Sequence, residues 1–312
     1  MNAAILVTSI GAKIPLMQAL KRAKENFDTS LKLIGADTDP RAQAAAFVDI
    51  FWQMPPLPEL GFDTLLSYVQ EQNIRYIIPS RDGELPFFAQ HKQALKLHGI
   101  EVFVADAKAV AFCYDKLHFY QNATLSWAIE TSLDSQTLHT SRFVVKERFG
   151  AGAKSMASDV SKEQALTHAI KLDEPIFQPF VQGKEYSIDC YVDKKMACRA
   201  VVVRSRDVVV DGESQVTTTV HDTTLAQKAA AFVTHHKIQG HSVLQVLQNE
   251  NGSFLIECNA RFGGASTLSE YMGLKSFLWF LQEANDIEID VQISQKIITQ
   301  VRKNKEDNYF EN

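Results

Sequence analysis

Over its first hundred residues the chain alternates short apolar runs with amphipathic stretches, and that alternation limits the folds open to it. "AAILVTSIG" reads as a buried strand running into a loop. "PLMQALKRAKEN" follows, with Leu16, Ala19, Leu20 and Ala23 on one helical face. "LKLIGADTD" is a second strand, "FDTLLSYVQEQN" a helix and "IRYIIPS" a third strand. "ELPFFAQHKQALKLHG" is a helix closed by Gly99, and "IEVFVAD" is a fourth strand. Short apolar strands separated by helices build a parallel, doubly wound sheet. Ligands of such sheets meet the C-terminal strand ends, which draws attention to Ser9, Gly11, Ser80, Arg81, Asp82 and Glu84. A dinucleotide site is not expected, because Gly11 stands alone after the first strand and no G-x-G-x-x-G follows.

The pattern changes near residues 108–115. "AVAFCYDKLHFYQNATL" reads as one helix, and "WAIETSL", "RFVVKERF" and "EPIFQPFV" as strands, with the helix "KEQALTHAIKL" between the last two. Then come the strands "EYSIDCYVD", "KMACRAVVVRSRD" and "VTTTV", the helix "LAQKAAAFVTHHK", and the strand pair "HSVLQVLQ" and "SFLIECNAR". Short turns between neighbouring strands favour a mainly antiparallel sheet. "YMGLKSFLWFLQEAND" reads as a late amphipathic helix, and the polar last ten residues as a frayed end. The expected architecture is α/β followed by α+β, with boundaries at 1–109, 110–180 and 181–312.

Three stretches carry chemistry. In "LIECNARFGG", residues 255–264, Glu257, Asn259 and Arg261 take alternate places and so share one strand face. The preceding hairpin loop sets which residue of the partner strand joins them. A two-residue Asn251-Gly252 turn would pair Val246 with Glu257, whereas a three-residue loop of Glu250, Asn251 and Gly252 pairs Gln245 with Glu257. The second puts Gln245, Glu257 and Asn259 on one face. Such oxygen ligands suit Mg²⁺, and Arg261 adds a donor fork for phosphate or carboxylate. In "RFVVKERFGAGAKSM", residues 142–156, Lys146 on a strand precedes a loop with Gly150, Gly152 and Ser155, a combination that can cover phosphate. It lacks the order of a Walker A motif. In "EPIFQPFVQGKEYSIDCYVD", Pro179 removes a backbone donor and Glu185 opens the next strand. An apolar linker of this kind can hold a flat base beside a carboxylate for ribose.

A net charge of −5 offers no broad basic field for nucleic acid. Cys113, Cys190, Cys198 and Cys258 form no C-x-x-C, which fits reduced thiols. The N-terminal apolar run is too short for a signal peptide and no run is long enough for a bilayer span, so the expected setting is cytoplasmic, away from membranes.

Together these pieces resemble the ATP-grasp superfamily, in particular carbamoyl-phosphate-synthase large-subunit-like and pyrrolysine-biosynthesis-like ligases. The resemblance rests on "YDKLHFYQ", "VVKERFGAGAKSM", "FQPFVQGKEYSIDCYV" and "IECNARFGGAS", with "IIPSRDGELPFFAQHKQALKLHGIEVFVAD" as the end of a preceding domain. It implies a pre-ATP-grasp domain, a mobile lid over residues 117–180 and an ATP-grasp sheet. It also implies that Lys116 and Lys146 bind ATP phosphates, with Gly152 and Ser155 in the covering loop. Gln178 would sit beside the adenine amino group, the backbone around Phe180 and Val181 would hold the ring, and Glu185 would take the ribose hydroxyls. Gln245, Glu257 and Asn259 would coordinate Mg²⁺ (or Mn²⁺), Arg261 would face the transferred phosphate, and Arg204 would reach phosphate or substrate. Pro179 departs from the family, where an acidic residue is often found, and Gln178 stands where close relatives can have Glu. The implied activity joins a small carboxylate to an amine or ammonia, in a chain expected to dimerise. An ATP-binding subunit or sensor of a split complex is the alternative.

Overall fold

The computed structural model describes residues 2–123, 127–150 and 155–302. The opening apolar runs give β1 (Ala4–Thr8), α1 (Ile14–Phe27), β2 (Lys32–Asp37), β3 (Ile50–Gln53), α2 (Phe62–Glu71), β4 (Ile74–Pro79), α3 (Leu85–Leu97) and β5 (Glu101–Val102). All five strands are parallel, in the order β3-β2-β1-β4-β5. Sequence reading missed β3, because a four-residue edge strand with half-buried side chains is too short to establish a period. The direction of winding switches between β1 and β4, so the loops that follow them meet. Their junction is tied by polar bonds. Glu84, wholly buried, accepts from the Ser80 amide at 2.6 Å, the Arg81 amide at 3.0 Å and Ser9 Oγ at 2.7 Å. Lys13 Nζ donates to the Ser9 carbonyl at 2.9 Å and to Ser80 Oγ at 2.8 Å. Burial lowers the Lys13 ammonium to about 8 despite the opposing pull of Glu84.

Next come α4 (Ala107–Tyr114) and α5 (Lys116–Asn122), where the pattern suggested one helix. Asp115 divides them. Its backbone is extended, and its carboxylate accepts from the Leu117 and His118 amides at 3.0 and 3.1 Å, so it caps a new helix instead of continuing the old one. A three-stranded sheet follows, ordered β7-β6-β8, from β6 (Phe143–Glu147), β7 (Ala157–Val160) and β8 (Pro175–Pro179), with α6 (Lys162–Ala169). "WAIETSL" forms no strand, only isolated bridges from Ala128 to Leu255 and from Ser132 to Phe177.

The remainder builds an antiparallel sheet from β9 (Lys184–Val192), β10 (Cys198–Val210), β11 (Glu213–Val220), β12 (Gly240–Asn249), β13 (Gly252–Asn259) and β14 (Thr299–Val301), in the order β13-β12-β9-β10-β11-β14. Its helices are α7 (Thr223–His235), α8 (Ser266–Tyr271) and α9 (Ser276–Ala284). The single late helix expected from "YMGLKSFLWFLQEAND" is broken at Gly273. That residue has φ +109°, and a Cβ there would stand 2.0 Å from the Gln292 carbonyl oxygen. No helix among the described residues is long and apolar enough to cross a membrane.

The two larger sheets share their cores. Ile188, Leu244, Val246 and Leu255 pack in one cluster with Leu6, Ile77 and Phe88, and Phe277, Phe280 and Leu281 of α9 join Met17 and Leu20 of α1. The opposite face of the antiparallel sheet combines an apolar cluster, with Tyr191, Val202 and Trp279, and a buried polar one. There Asp189, wholly buried, accepts from Arg204 Nε at 2.6 Å, Ser269 Oγ at 2.7 Å and Ser266 Oγ, and meets His241 Nε2 at 3.0 Å. Burial would raise the Asp189 carboxyl, but the Arg204 charge and the His241 bond hold it well below the usual carboxylate range. Ser266 Oγ in turn accepts the Gly263 amide at 3.0 Å, which fixes the turn after β13.

Because the folded Asp189 value lies below the unfolded one, its contribution is present above the ordinary carboxylate range and is lost as pH falls toward the folded value. Asp189→Asn, which leaves Arg204 buried without a counter-charge, is expected to cost about 3–5 kcal/mol in urea unfolding near neutral pH. The difference from the parent should shrink on acidification. A loss that does not vary with pH would show that charge is not what this site contributes.

Candidate active site

The hairpin β12–β13 decides what the site contains. Val243, Leu244 and Gln245 pair with Asn259, Cys258 and Glu257, so Gln245 stands directly opposite Glu257. The route to this register differs from the one expected. The turn is two residues, Glu250 and Asn251, between paired Asn249 and Gly252, and Asn249 Oδ1 accepts the Asn251 amide at 2.9 Å. That turn alone would set Gln245 opposite Ile256. A bulge between Gln245 and Val246 shifts the register by one residue and brings Glu257 into line. Asn259 Nδ2 donates to Glu257 Oε1 at 3.0 Å.

Gln245 and Glu257 form part of one wall of a cleft of about 630 Å³ between the antiparallel sheet and the three-stranded sheet. Gln245, Glu257 and Glu185 come from the first, and Lys146 and Gln178 from the second; Lys116 reaches in from α5. Lys146 is 9 % exposed, and burial lowers its ammonium to about 8, against the stabilising charge of Glu257. For half-buried Glu257 burial also opposes charge, but Lys146 and then Lys116 outweigh it and bring the carboxyl below its ordinary range. Lys146 and Glu257 thus favour each other's charged form, and Lys116 favours that of Glu257 but opposes that of Lys146. Lys116 Nζ donates to the Gly150 carbonyl at 2.7 Å, and Arg148 Nε binds the capping Asp115 at 2.7 Å, so the start of α5 and the end of β6 are joined.

At the far end of the cleft lies the linker 179–183. Pro179 has no N–H, and the Phe180 amide donates to the Arg142 carbonyl at 2.8 Å, so that donor is unavailable to a ligand. The Val181 amide has no partner among the described residues. Gln178 Nε2 donates to Thr131 Oγ1 at 2.9 Å, which orients the amide and leaves its carbonyl oxygen as acceptor. Gly183 lets the linker pass close to β12, since a Cβ there would be 2.7 Å from the Gln248 carbonyl oxygen. Ser155 lines the cleft with φ +57°, whereas Gly152 lies outside the described residues.

Two family models match the chain. Residues 5–103 match the PylC-like N-terminal domain, and residues 171–307 match the ATP-grasp described from the biosynthetic pathway with Ter operon. The segment 171–307 belongs to the ATP-grasp family. Solved structures agree at the level of fold. N5-carboxyaminoimidazole synthetase from Staphylococcus aureus, complexed with ADP, is 14 % identical with TM-score 0.73, over 95 % of this chain and 81 % of that one. Biotin carboxylase from Campylobacter jejuni is 14 % identical with TM-score 0.72, over 94 % and 73 %. L-amino acid ligase from Bacillus licheniformis is 16 % identical with TM-score 0.68, over 91 % and 74 %. No curated protein sequence matches.

Within this ATP-grasp fold not every residue singled out from sequence lines the cleft. Asn259 borders a smaller recess with Asp82, Lys116, Gly150 and Glu257. Arg261 lies beyond it, paired with Asp82 of the N-terminal sheet at 2.6 Å. Arg204 does not line the cleft: it is 2 % exposed and held by Asp189 and Ser269. Arg206, two residues on, lines it instead, and its Nε lies 2.9 Å from Glu185 Oε1. Both arginines share a face with Glu185 and Asp189. Register alone assigns them, since Arg204 pairs with Ser187 midway between the two acids. The one sequence signal for Arg206 was its alternation with Arg204. Glu185 is raised by burial, which Arg206 opposes.

In this ATP-grasp cleft Lys146→Ala is expected to weaken Mg·ATP binding roughly ten- to hundredfold in a calorimetric titration, the loss of one buried charge-assisted contact. Unchanged affinity would remove Lys146 from contact with phosphate.

Proposed function

We propose that the chain is an ATP- and Mg-dependent ligase that joins a small carboxylate to an amine or ammonia through an acyl phosphate, releasing ADP and phosphate. The observation that carries this reading is the register of β12 against β13, which puts Gln245 beside Glu257 in a nucleotide-sized cleft that Lys116 and Lys146 enter. The donor set fits Mg²⁺: one carboxylate and two amide oxygens, with no group of three or more His, Cys, Asp or Glu among the described residues to compete for a softer or more highly charged ion. Glu257, Gln245 and Asn259 would hold it, and when bound it supplies positive charge to the phosphate oxygens.

The remaining chemistry belongs to the chain. The Gln178 carbonyl oxygen accepts from the adenine amino group, and the linker backbone near Phe180 and Val181 borders the ring. Glu185, steadied by Arg206, accepts from the ribose hydroxyls. Lys116 and Lys146 neutralise the phosphates. A carboxylate oxygen of the substrate attacks the γ-phosphorus, the bond to the β-phosphate oxygen breaks, and ADP leaves. Charge grows on the transferred group in this step, and pre-placed Lys146 and Arg261 stabilise it without a side-chain nucleophile. The amine then displaces phosphate. The acyl phosphate is prone to hydrolysis, which gives the proposed lid over residues 117–180 its task of excluding water. The similarity to an L-amino acid ligase supports amino acids as first substrates to try.

Phosphate release scored over pairs of small acids, amino acids and ammonia tests the proposal. Turnover that requires one such pair supports a ligase, whereas Mg·ATP binding without release across the screen supports an ATP-binding subunit or sensor. Glu257→Ala should abolish turnover while the melting temperature stays close to the parent's. Normal release by that variant would exclude the metal assignment.

A further inference from the structure

Arg261 lies two residues past the end of β13, and its partner comes from the turn after β4 of the parallel sheet. Asp82 Oδ2 accepts from Arg261 Nε at 3.0 Å and from Nη2 at 2.6 Å. The two side chains are 18 % and 13 % exposed, and among the described residues Arg261 forms no other ion pair. We infer that Asp82 is a positioning residue that sets the Arg261 guanidinium for the phosphoryl group, so that the phosphoryl end of the cleft is completed by the N-terminal sheet. This rests on the ligase reading above.

A guanidinium presents two forks, one through Nε and one Nη, the other through both Nη atoms. Asp82 occupies the first. The second holds only a long contact from Nη1 to the Phe262 carbonyl at 3.4 Å, which leaves it for an anion. Unpartnered, Arg261 would lose side-chain entropy on each binding event; paired, most of that loss is met on folding. Asp82 is itself immobilised. Its turn is held by Glu84, which binds the Ser80 and Arg81 amides and Ser9 Oγ, so the support reaches into the core of the parallel sheet. Asp82 also borders the recess that holds Lys116, Glu257 and Asn259. A bare carboxylate there would repel phosphate, and Arg261 cancels its charge.

The test compares the parent chain with Asp82→Asn, Asp82→Glu, Arg261→Lys and the double variant Asp82→Asn/Arg261→Lys. The probes are Mg·ADP alone and Mg·ADP with aluminium fluoride, which mimics the transferring phosphoryl group and needs no acceptor. Asp82→Asn should weaken the fluoride complex roughly 10–100-fold while Mg·ADP affinity stays within about twofold, as for other residues that orient a reacting group. Asp82→Glu should recover part of the loss. In the Arg261→Lys background Asp82→Asn should add nothing, because both changes remove one interaction. Multiplying losses, an unchanged Asp82→Asn, or equal weakening of Mg·ADP and the fluoride complex would overturn the inference. So would a parent whose Mg·ADP affinity gains nothing from fluoride. A parent that binds the fluoride complex but turns over no acceptor pair counts against the ligase reading alone.

Discussion

The site depends on one charge balance, between Glu257 on the antiparallel sheet and Lys146 on the three-stranded sheet. Burial disfavours the charged form of each, and each favours the charged form of the other. Together they remain charged, with Lys116 adding to the positive side. The two sheets thereby present opposite charges to the same cleft. Neither sheet has an electrostatic reason to present its charge there without the other.

Around that pair the fold uses polar bonds where apolar packing offers no direction. The shared cores bring the parallel and antiparallel sheets together but do not orient individual loops. Orientation comes from Glu84, which fixes the loops after β1 and β4, and from Asp189, which fixes the turn after β13 through Ser266. Both acids are wholly buried and fully partnered, the condition under which a buried charge specifies geometry instead of merely costing solvation energy.

Much of this was legible beforehand. The parallel sheet follows from strand–helix alternation, and the loops at Ser9 and Arg81 follow from where such sheets bind ligands. Glu257 and Asn259 lie on one strand as periodicity implies, whereas Arg261 falls beyond the end of β13 and pairs with Asp82. The misses have local causes. Asp115 and Gly273 interrupt stretches whose apolar spacing continues across them, so periodicity reported one helix where capping and backbone conformation made two. For the hairpin, the pairing of Gln245 with Glu257 held, but through a tighter turn and a bulge at Ile256. Bulges leave no composition signal in a strand of this kind.

The sequence by itself determined which side-chain chemistry the chain carries: oxygen donors on one strand, a lysine in each of two separate segments, and a glycine-bearing linker. Side-chain type and a period of two are enough for that, because both are local. Only the tertiary structure decided which arginine serves which acid, Arg206 with Glu185 and Arg204 with Asp189, and that Arg261 answers to Asp82. Those pairings join residues up to 179 positions apart. They are fixed by strand register and sheet packing, which depend on the whole chain collapsing at once and are written in no single stretch of it.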